Sequence, residues 1–284
     1  MTDKDKIEIT ALRPTRAELL RYIHFGIDLY KGNSCFVPPL IVDELETLDP
    51  TRNPAAEQCD SQSFMAWRGG KPVGRITAII NREANRRFGS KAMRFGWVDF
   101  IDDADVVDAL FDAAARWGRS MGMTEMIGPM GFTDMDHEGM LVEGFDEMGT
   151  MATIYNYPYY PRHMERMGFD KDADWIEFRM KVPEAVPEKM QRIADIVARK
   201  YDLHSVKFTS KKELKRKYGH AFFRLINEAY ADLYGFVPLT DRMIDSYVNT
   251  YLSILRLEDL SIIVDGEGHL AAAGILSLIH ISEP

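Results

Sequence analysis

Apolar and polar positions follow regular periods from the start of the chain. Residues 7–12 alternate in the manner of a half-buried strand. From Leu19 to Tyr30 the apolar residues recur at helical spacing, and Thr15 with Glu18 predicts a capping box at the start of that helix. The chain therefore begins with a predicted strand and helix.

The next elements are predicted in the order helix, hairpin, strand, helix, strand, helix, strand. Gly69-Gly70 lies between two apolar runs, which is a strong hairpin signal. We predict these elements over residues 40–48, 64–67 with 73–80, 93–101, 105–121, 124–127, 155–167 and 175–180. This order predicts a mixed α/β domain over residues 1–182.

The second half of the chain repeats the start of the first. Pro183 and Pro187 mark a boundary, and a linker helix is expected within residues 183–204. The pattern Asp-Leu-Tyr followed by Phe-Val-Pro occurs at residues 28–38 and again at 232–238. A strand (205–208), two helices (211–233 and 240–255) and a hairpin (260–264 with 270–275) are predicted in the same order as residues 7–80. We interpret residues 205–275 as the front half of a duplicated domain.

The last residues have a different character. Residues 276–284 resemble the in-frame translation of a sequencing adapter. We therefore expect this tail to be non-native and exclude it from the prediction of the fold.

Composition and charge narrow the class of protein. With 46% hydrophobic and 28% charged residues, the 284-residue chain has ordinary globular composition, and no apolar run reaches the ~20 residues of a membrane span. The net charge of −9 has the wrong sign for a nucleic-acid partner, and the basic stretch at 207–217 is interpreted as a solvated helix face. Cys35 and Cys59 match no disulfide framework or metal motif. We expect a cytoplasmic protein because the N-terminus lacks an apolar signal.

Several of these segments together resemble the GNAT-type N-acetyltransferase superfamily. The resemblance rests on the hairpin at Gly69-Gly70, the strand 95–100, the helix 104–121, and the ending Asn156 to Pro158 followed by Gly168-Phe169. It covers residues 6–181, and residues 205–275 as a partial second copy. It implies a GNAT-like α/β (α+β) mixed sheet, one complete domain plus the front half of another.

The resemblance also implies a reaction. An acyl group would pass from a thioester donor, either acetyl-CoA, a longer acyl-CoA or an acyl carrier protein, to an amine or hydroxyl. The small-molecule acceptor is not identified, and no metal is implied. The alternative is a non-catalytic GNAT-fold binding or structural module, because fold alone does not establish activity.

The resemblance implies that four positions of this chain bind the acyl donor. Val98, Phe100 and Ile101 lie on the strand beside which the family's pantetheine lies. Asn156 could bond an acyl chain or pantetheine amide, with a helix N-cap before Pro158 as the alternative. The chain departs from the family at the next segment, since Ile101-Asp102-Asp103-Ala104-Asp105 replaces the basic, Gly-rich pyrophosphate loop. Carboxylates there would cap the helix and repel a pyrophosphate.

The catalytic residues depart from the family pattern too. Met164 stands where the family has a general-acid tyrosine, and Tyr160 lies one helical turn earlier on the same face. Tyr160 is the candidate general acid. The alternative is that its ring only packs in the core and takes no part in catalysis. Glu138, in the loop Asp134-Met135-Asp136-His137-Glu138, is the candidate general base, with an ordinary polar loop as the alternative.

Overall fold

The structure, a computed structural model, describes residues 6–150 and 152–276. The tail interpreted as non-native lies outside the described residues except for Leu276. The chain divides into two compact units, one formed by residues up to Ala173 with Gly235–Val237, the other by the rest.

The first unit contains a five-stranded sheet with helices before, between and after its strands. Its elements are β1 (Ile7–Ala11), α1 (Arg16–Leu29), α2 (Ile41–Leu48), β2 (Cys59–Arg68), β3 (Lys71–Asn81), α3 (Arg82–Phe88), β4 (Ala92–Phe100), α4 (Ala104–Ser120), β5 (Glu125–Ile127) and α5 (Tyr159–Arg166).

The sheet is mixed, which confirms the predicted α/β fold class. Its strand order is β1-β2-β3-β4-β5, with antiparallel neighbours except for the parallel pair β4 and β5. The predicted hairpin and the strand after it are adjacent and antiparallel, as expected.

Helices cover both faces of this sheet. One face packs against α4 through Val106, Leu110 and Ala114, which are fully buried among alternate residues of β2, β3 and β4. The other face packs against α1 and α2. Strand β3 is buried on both faces from Val73 to Asn81, as expected for a central strand between two helical layers.

Local capping explains several helix ends. Thr15 caps α1 by accepting from the Glu18 backbone N–H at 3.4 Å, but the Glu18 carboxylate contacts Arg13 instead of closing the predicted capping box. Helix α3 was not predicted; Asn81 caps its start and Gly89 ends it with φ 64°.

The predicted strand at residues 175–180 is wrong. The structure shows no strand there, and Trp175, Ile176, Phe178 and Met180 are exposed. Alternation predicts a strand only where a neighbouring strand is available to pair with it, and none does so in the described residues.

The second unit has a three-stranded antiparallel sheet of order β6-β7-β8. The pairing order is that of β1-β2-β3 in the first unit, although the predicted domain boundaries and the duplication stay predictions. The predicted helix 211–233 is instead α7, a π-helical turn (Lys215–Gly219) and α8. The elements are α6 (Glu188–Lys200), β6 (His204–Val206), α7 (Lys211–Leu214), α8 (His220–Ala229), α9 (Asp241–Ile254), β7 (Leu260–Val264) and β8 (Leu270–Ile275).

Candidate active site

A bulge in β4 shapes the candidate site. Thr77 of β3 pairs with Gly96, whereas Arg75 pairs with Asp99, so β4 has one more residue than β3 in this stretch. Trp97 accommodates the extra residue with φ 45°, a left-handed conformation uncommon for a bulky side chain. Bulges redirect side chains next to functional sites. Here the bulge brings Asp99 opposite Arg75.

Arg75 and Asp99 form a buried ion pair. Arg75 Nε and Nη2 lie 2.7 and 2.6 Å from Asp99 Oδ2, and Arg75 Nη1 donates to the Tyr22 carbonyl at 3.1 Å. Gly26 of α1 leaves room for the guanidinium, since a Cβ there would lie 2.1 Å from Arg75 Nη2. The ion pair therefore depends on a glycine inside a helix.

Two tyrosines share the other oxygen of Asp99. The Tyr30 hydroxyl lies 2.8 Å from Asp99 Oδ1 and 2.8 Å from the Tyr160 hydroxyl oxygen. Tyr160 donates to Asp99 Oδ1 at 3.2 Å and accepts from the Phe100 backbone N–H at 3.1 Å. The Tyr160 ring also stacks on Phe100, with centroids 4.2 Å apart. Both the ring and the hydroxyl of Tyr160 are thus fixed in place.

The pKa of Tyr160 favours a neutral phenol. Burial raises it well above its ordinary value, and the nearby Asp99 carboxylate raises it further. The pKa of Tyr30 is raised for the same two reasons. Both hydroxyls therefore keep their protons at neutral pH, and the same shift makes each phenol a weaker acid than an ordinary tyrosine.

These groups open onto a cavity of about 90 Å³ within the first unit. Apolar and aromatic side chains form most of its wall, with a few polar groups directed inward, as is common in ligand sites. The polar residues of the lining include Tyr30, Arg75, Asp99, Asn156, Tyr160, Glu44 and His137, and the apolar ones include Ile27, Phe36, Val37, Trp97, Val98, Met140 and Ile154.

Glu44 is a buried carboxylate in this lining that the sequence analysis missed. It lies on α2 with 7% of its surface exposed and accepts from Trp97 Nε1 at 2.8 Å. Burial raises its pKa, while Arg75 and the Trp97 hydrogen bond oppose the rise. A buried carboxylate with a raised pKa suits proton transfer from an amine.

Of the residues predicted as catalytic, the lining contains Tyr160 but not Glu138. The Glu138 carboxylate is largely buried, and its Oε1 has no hydrogen-bond partner within the described part of the chain. Burial, helped by Asp134, raises the pKa of Glu138 to about 7. Its neighbour Asp136 accepts from the backbone N–H groups of Phe132 and Thr133 and so supports the loop fold.

Of the predicted donor-binding residues, Val98 and Asn156 reach the cavity lining. Asn156 does not cap α5, whose N-cap is Pro158; instead its side chain bonds both backbone groups of Leu141, at 2.7 and 3.0 Å. Phe100 is fully buried behind Tyr160, and the Ile101 N–H donates to the Val73 carbonyl at 3.1 Å. Donor binding by these four residues stays a prediction.

The start of α4 does not suit a pyrophosphate group. Asp103 caps the helix by accepting from the N–H groups of Asp105 and Val106 at 3.0 and 3.2 Å, and Arg68 pairs with the same carboxylate at 2.7 Å. The Asp102 carboxylate lies 2.8 Å from His163 Nε2. The N–H groups that would bind an anion are therefore occupied by the chain's own carboxylate, and a nucleotide diphosphate does not fit there.

No cluster of three or more potential metal ligands occurs among residues 6–150 and 152–276. No helix in those same ranges is both long and apolar enough to cross a membrane.

Two curated bacterial proteins are similar in sequence, and no family model matches the chain. Protein YghO of Escherichia coli is 29% identical over 79% of this chain and 56% of its own length. The bacterial ceramide synthase of Caulobacter vibrioides is 29% identical over 80% of this chain and 59% of its own length. The chain thus spans little more than half the length of these relatives.

Several solved structures are similar in fold. A tandem GNAT protein from the clavulanic acid biosynthesis pathway has a TM-score of 0.48 at 14% identity, covering 96% of this chain and 75% of its own. An aminoglycoside N-acetyltransferase in complex with CoA has a TM-score of 0.39 at 15% identity, covering 64% of this chain and 99% of its own. The first is a GNAT protein and the second an acetyltransferase by name.

Proposed function

We propose that this chain carries an N-acyltransferase site that joins the acyl group of a thioester to an amine. The main support is that the Tyr160 phenol and the Glu44 carboxylate both line one cavity, the first as a neutral proton donor and the second as a buried carboxylate. The reaction needs one group that supplies a proton and another that accepts one.

Proton balance assigns the two roles. The amine nitrogen attacks the thioester carbonyl carbon, the new C–N bond forms, and the C–S bond breaks. Glu44 accepts the proton that the amine loses, and the leaving thiolate takes the proton of Tyr160. Asp99 holds the Tyr160 hydroxyl through a hydrogen bond of 3.2 Å, and the ion pair with Arg75 fixes Asp99.

Glu138 remains the second candidate for the base. Its pKa, raised to about 7, suits the role, whereas its absence from the cavity lining favours Glu44. If Glu44 is the base, Glu44→Gln should lose activity; if Glu138 is the base, Glu138→Gln should lose it instead.

The name of one relative suggests the type of acceptor. A ceramide synthase forms an amide on a long-chain amine, and the chain is 29% identical to the Caulobacter vibrioides enzyme. The cavity of about 90 Å³ is too small to hold a whole long chain, so its aromatic and apolar wall would contact only the part of the acceptor next to the amine. We therefore propose a long-chain amine as acceptor and an acyl thioester as donor.

The proposal is tested by thiol release and by mass spectrometry of the amide. The 284-residue chain is incubated with acetyl- to hexadecanoyl-thioesters and sphinganine. We expect Tyr160→Phe and Glu44→Gln to lower kcat about 10²-fold or more, the usual range for general acid–base groups. Glu46→Gln is the matched control, because Glu46 is exposed on the same helix α2.

The alternative is a binding module without catalysis. It is favoured by the capped start of α4 and by Tyr160, whose hydroxyl is fully hydrogen-bonded within the protein. A thermal-shift series separates the two: stabilisation by a thioester or amine without amide formation supports the module. No stabilisation and no amide would contradict both.

A further inference from the structure

A short segment of the second unit carries a concentrated positive charge. The basic segment, residues 207–217, contains a single acidic residue, Glu213, in a chain whose net charge is −9. Its basic residues are Lys207, Lys211, Lys212, Lys215, Arg216 and Lys217. The charge of this segment is therefore opposite to that of the chain as a whole.

The basic segment is an ordered surface rather than a loose tail. It runs through α7 and into the π-helical turn, and π-helical turns are frequent at functional sites. Leu214 and Tyr218 are buried and anchor the turn, with 2% and 4% of their surfaces exposed. Lys215 Nζ donates to the Asn249 carbonyl at 3.3 Å.

Four charges of this segment face solvent. Lys207, Lys212, Arg216 and Lys217 are exposed, and none of them forms an ion pair within the described parts of the chain. Lys212 and Arg216 are four residues apart, so they lie on the same side of the helix. Unpaired charges held on a fixed surface can steer an oppositely charged partner.

The donor side of the proposed reaction favours a protein partner. The α4 N-terminus is capped by Asp103 and does not fit a pyrophosphate, so a nucleotide would add little to donor binding there. A thioester carried by an acidic protein needs no pyrophosphate site, because the carrier protein supplies the binding affinity through its own surface contacts.

We propose that the basic segment docks an acidic acyl carrier protein that supplies the thioester. This docking proposal depends on the proposed acyl transfer only for the carrier's role as thioester donor. Binding of the carrier to the basic segment can be measured independently of the reaction. Four exposed cations match the negative surface of such a carrier.

Binding is tested with the 284-residue chain and a bacterial acyl carrier protein in holo and hexadecanoyl forms, by interferometry at 50 and 300 mM salt. We expect the triple variant Lys212→Glu, Arg216→Glu, Lys217→Glu to weaken binding about tenfold or more, mainly through a slower association rate. The wild-type affinity should also fall at the higher salt concentration.

The matched control is the triple variant Lys189→Glu, Arg192→Glu, Lys200→Glu. It makes the same charge change on exposed positions of α6 and should leave carrier binding within about twofold. Circular dichroism of both variants verifies that the overall helix content of the chain is unchanged.

Two results would overturn the docking proposal. One is carrier binding that is absent or equally affected by both triple variants. The other is stronger binding of RNA or of anionic vesicles than of the carrier, lost in the 212/216/217 variant. Amide formation from acyl-CoA with no carrier binding would refute the docking and leave the proposed function standing. Carrier binding without amide formation would support the docking and contradict the proposed acyl transfer.

Discussion

The buried Glu138 carboxylate should make the first unit less stable as the pH rises. Its pKa is raised from the ordinary 4.5 to about 7, chiefly by burial. In the unfolded chain the same carboxyl ionises near 4.5, so the folded state holds the extra proton between these values. The stabilising contribution of this carboxyl group is therefore fully present below pH 4.5 and is lost as the pH rises from there through about 7.

The size of this effect follows from the two pKa values. One pKa unit corresponds to about 1.4 kcal/mol, so the interval from 4.5 to about 7 allows roughly 3 kcal/mol. Between pH 5 and pH 8 most of this interval is crossed. After a discount for the part of the side chain that solvent reaches, we expect Glu138 to cost about 2 kcal/mol over that range.

The assay compares Glu138→Gln with the wild type in urea at pH 5 and pH 8. Trp67, Trp97 and Trp117 report on the first unit by fluorescence. The variant should gain about 2 kcal/mol relative to the wild type between the two pH values. Glu143→Gln, an exposed residue of the same loop, is the control and should show no such gain. A difference between Glu138→Gln and the wild type that is the same at both pH values would refute the reasoning.

Three further predictions follow from the first unit and the segment after it. Gly26→Ala should displace Arg75 from Asp99 and lower stability by more than Gly118→Ala, whose new Cβ would crowd chiefly the sulfur of the flexible Met93 side chain. Urea unfolding measures both losses. Arg75→Met should cost about 3–5 kcal/mol by leaving Asp99 buried without its cation, and adding Asp99→Asn should recover part of the loss in the same assay. Limited proteolysis should cut first within residues 174–186, which are exposed and lie outside any helix or strand, and mass spectrometry of the fragments identifies the cut.

The layers of the first unit were predictable from periodicity. Alternation along β2 places Phe64 and Ala66 against α4 but Met65 and Trp67 against α1 and α2, so local spacing determined both faces. The role of the Asp-rich start of α4 was also predictable, since Asp103 caps the helix as expected for an aspartate at that position. These features depend on neighbours a few residues away in the chain.

The polar network of the site was not predictable in this way. Tyr30, Asp99 and Tyr160 meet at one carboxylate oxygen although 69 and 61 residues separate Asp99 from its two tyrosines. Their meeting depends on the bulge at Trp97, whose extra residue sets which side chains of β4 face α1. A one-residue register change would reverse those faces, and periodicity does not locate such a bulge in advance.

Glu44 shows that one signal was available in the sequence. Ile41, Glu44, Leu45 and Leu48 have the spacing of a single buried stripe, and the structure buries Glu44 together with Leu45 and Leu48. A carboxylate on such a stripe must be paired, hydrogen-bonded or protonated, because an isolated buried charge is costly. The Trp97 indole and the raised pKa meet that requirement. An acidic residue on the apolar stripe of a short helix is therefore a stronger indicator of a site than an acidic residue in a polar loop, where solvation alone accounts for the charge.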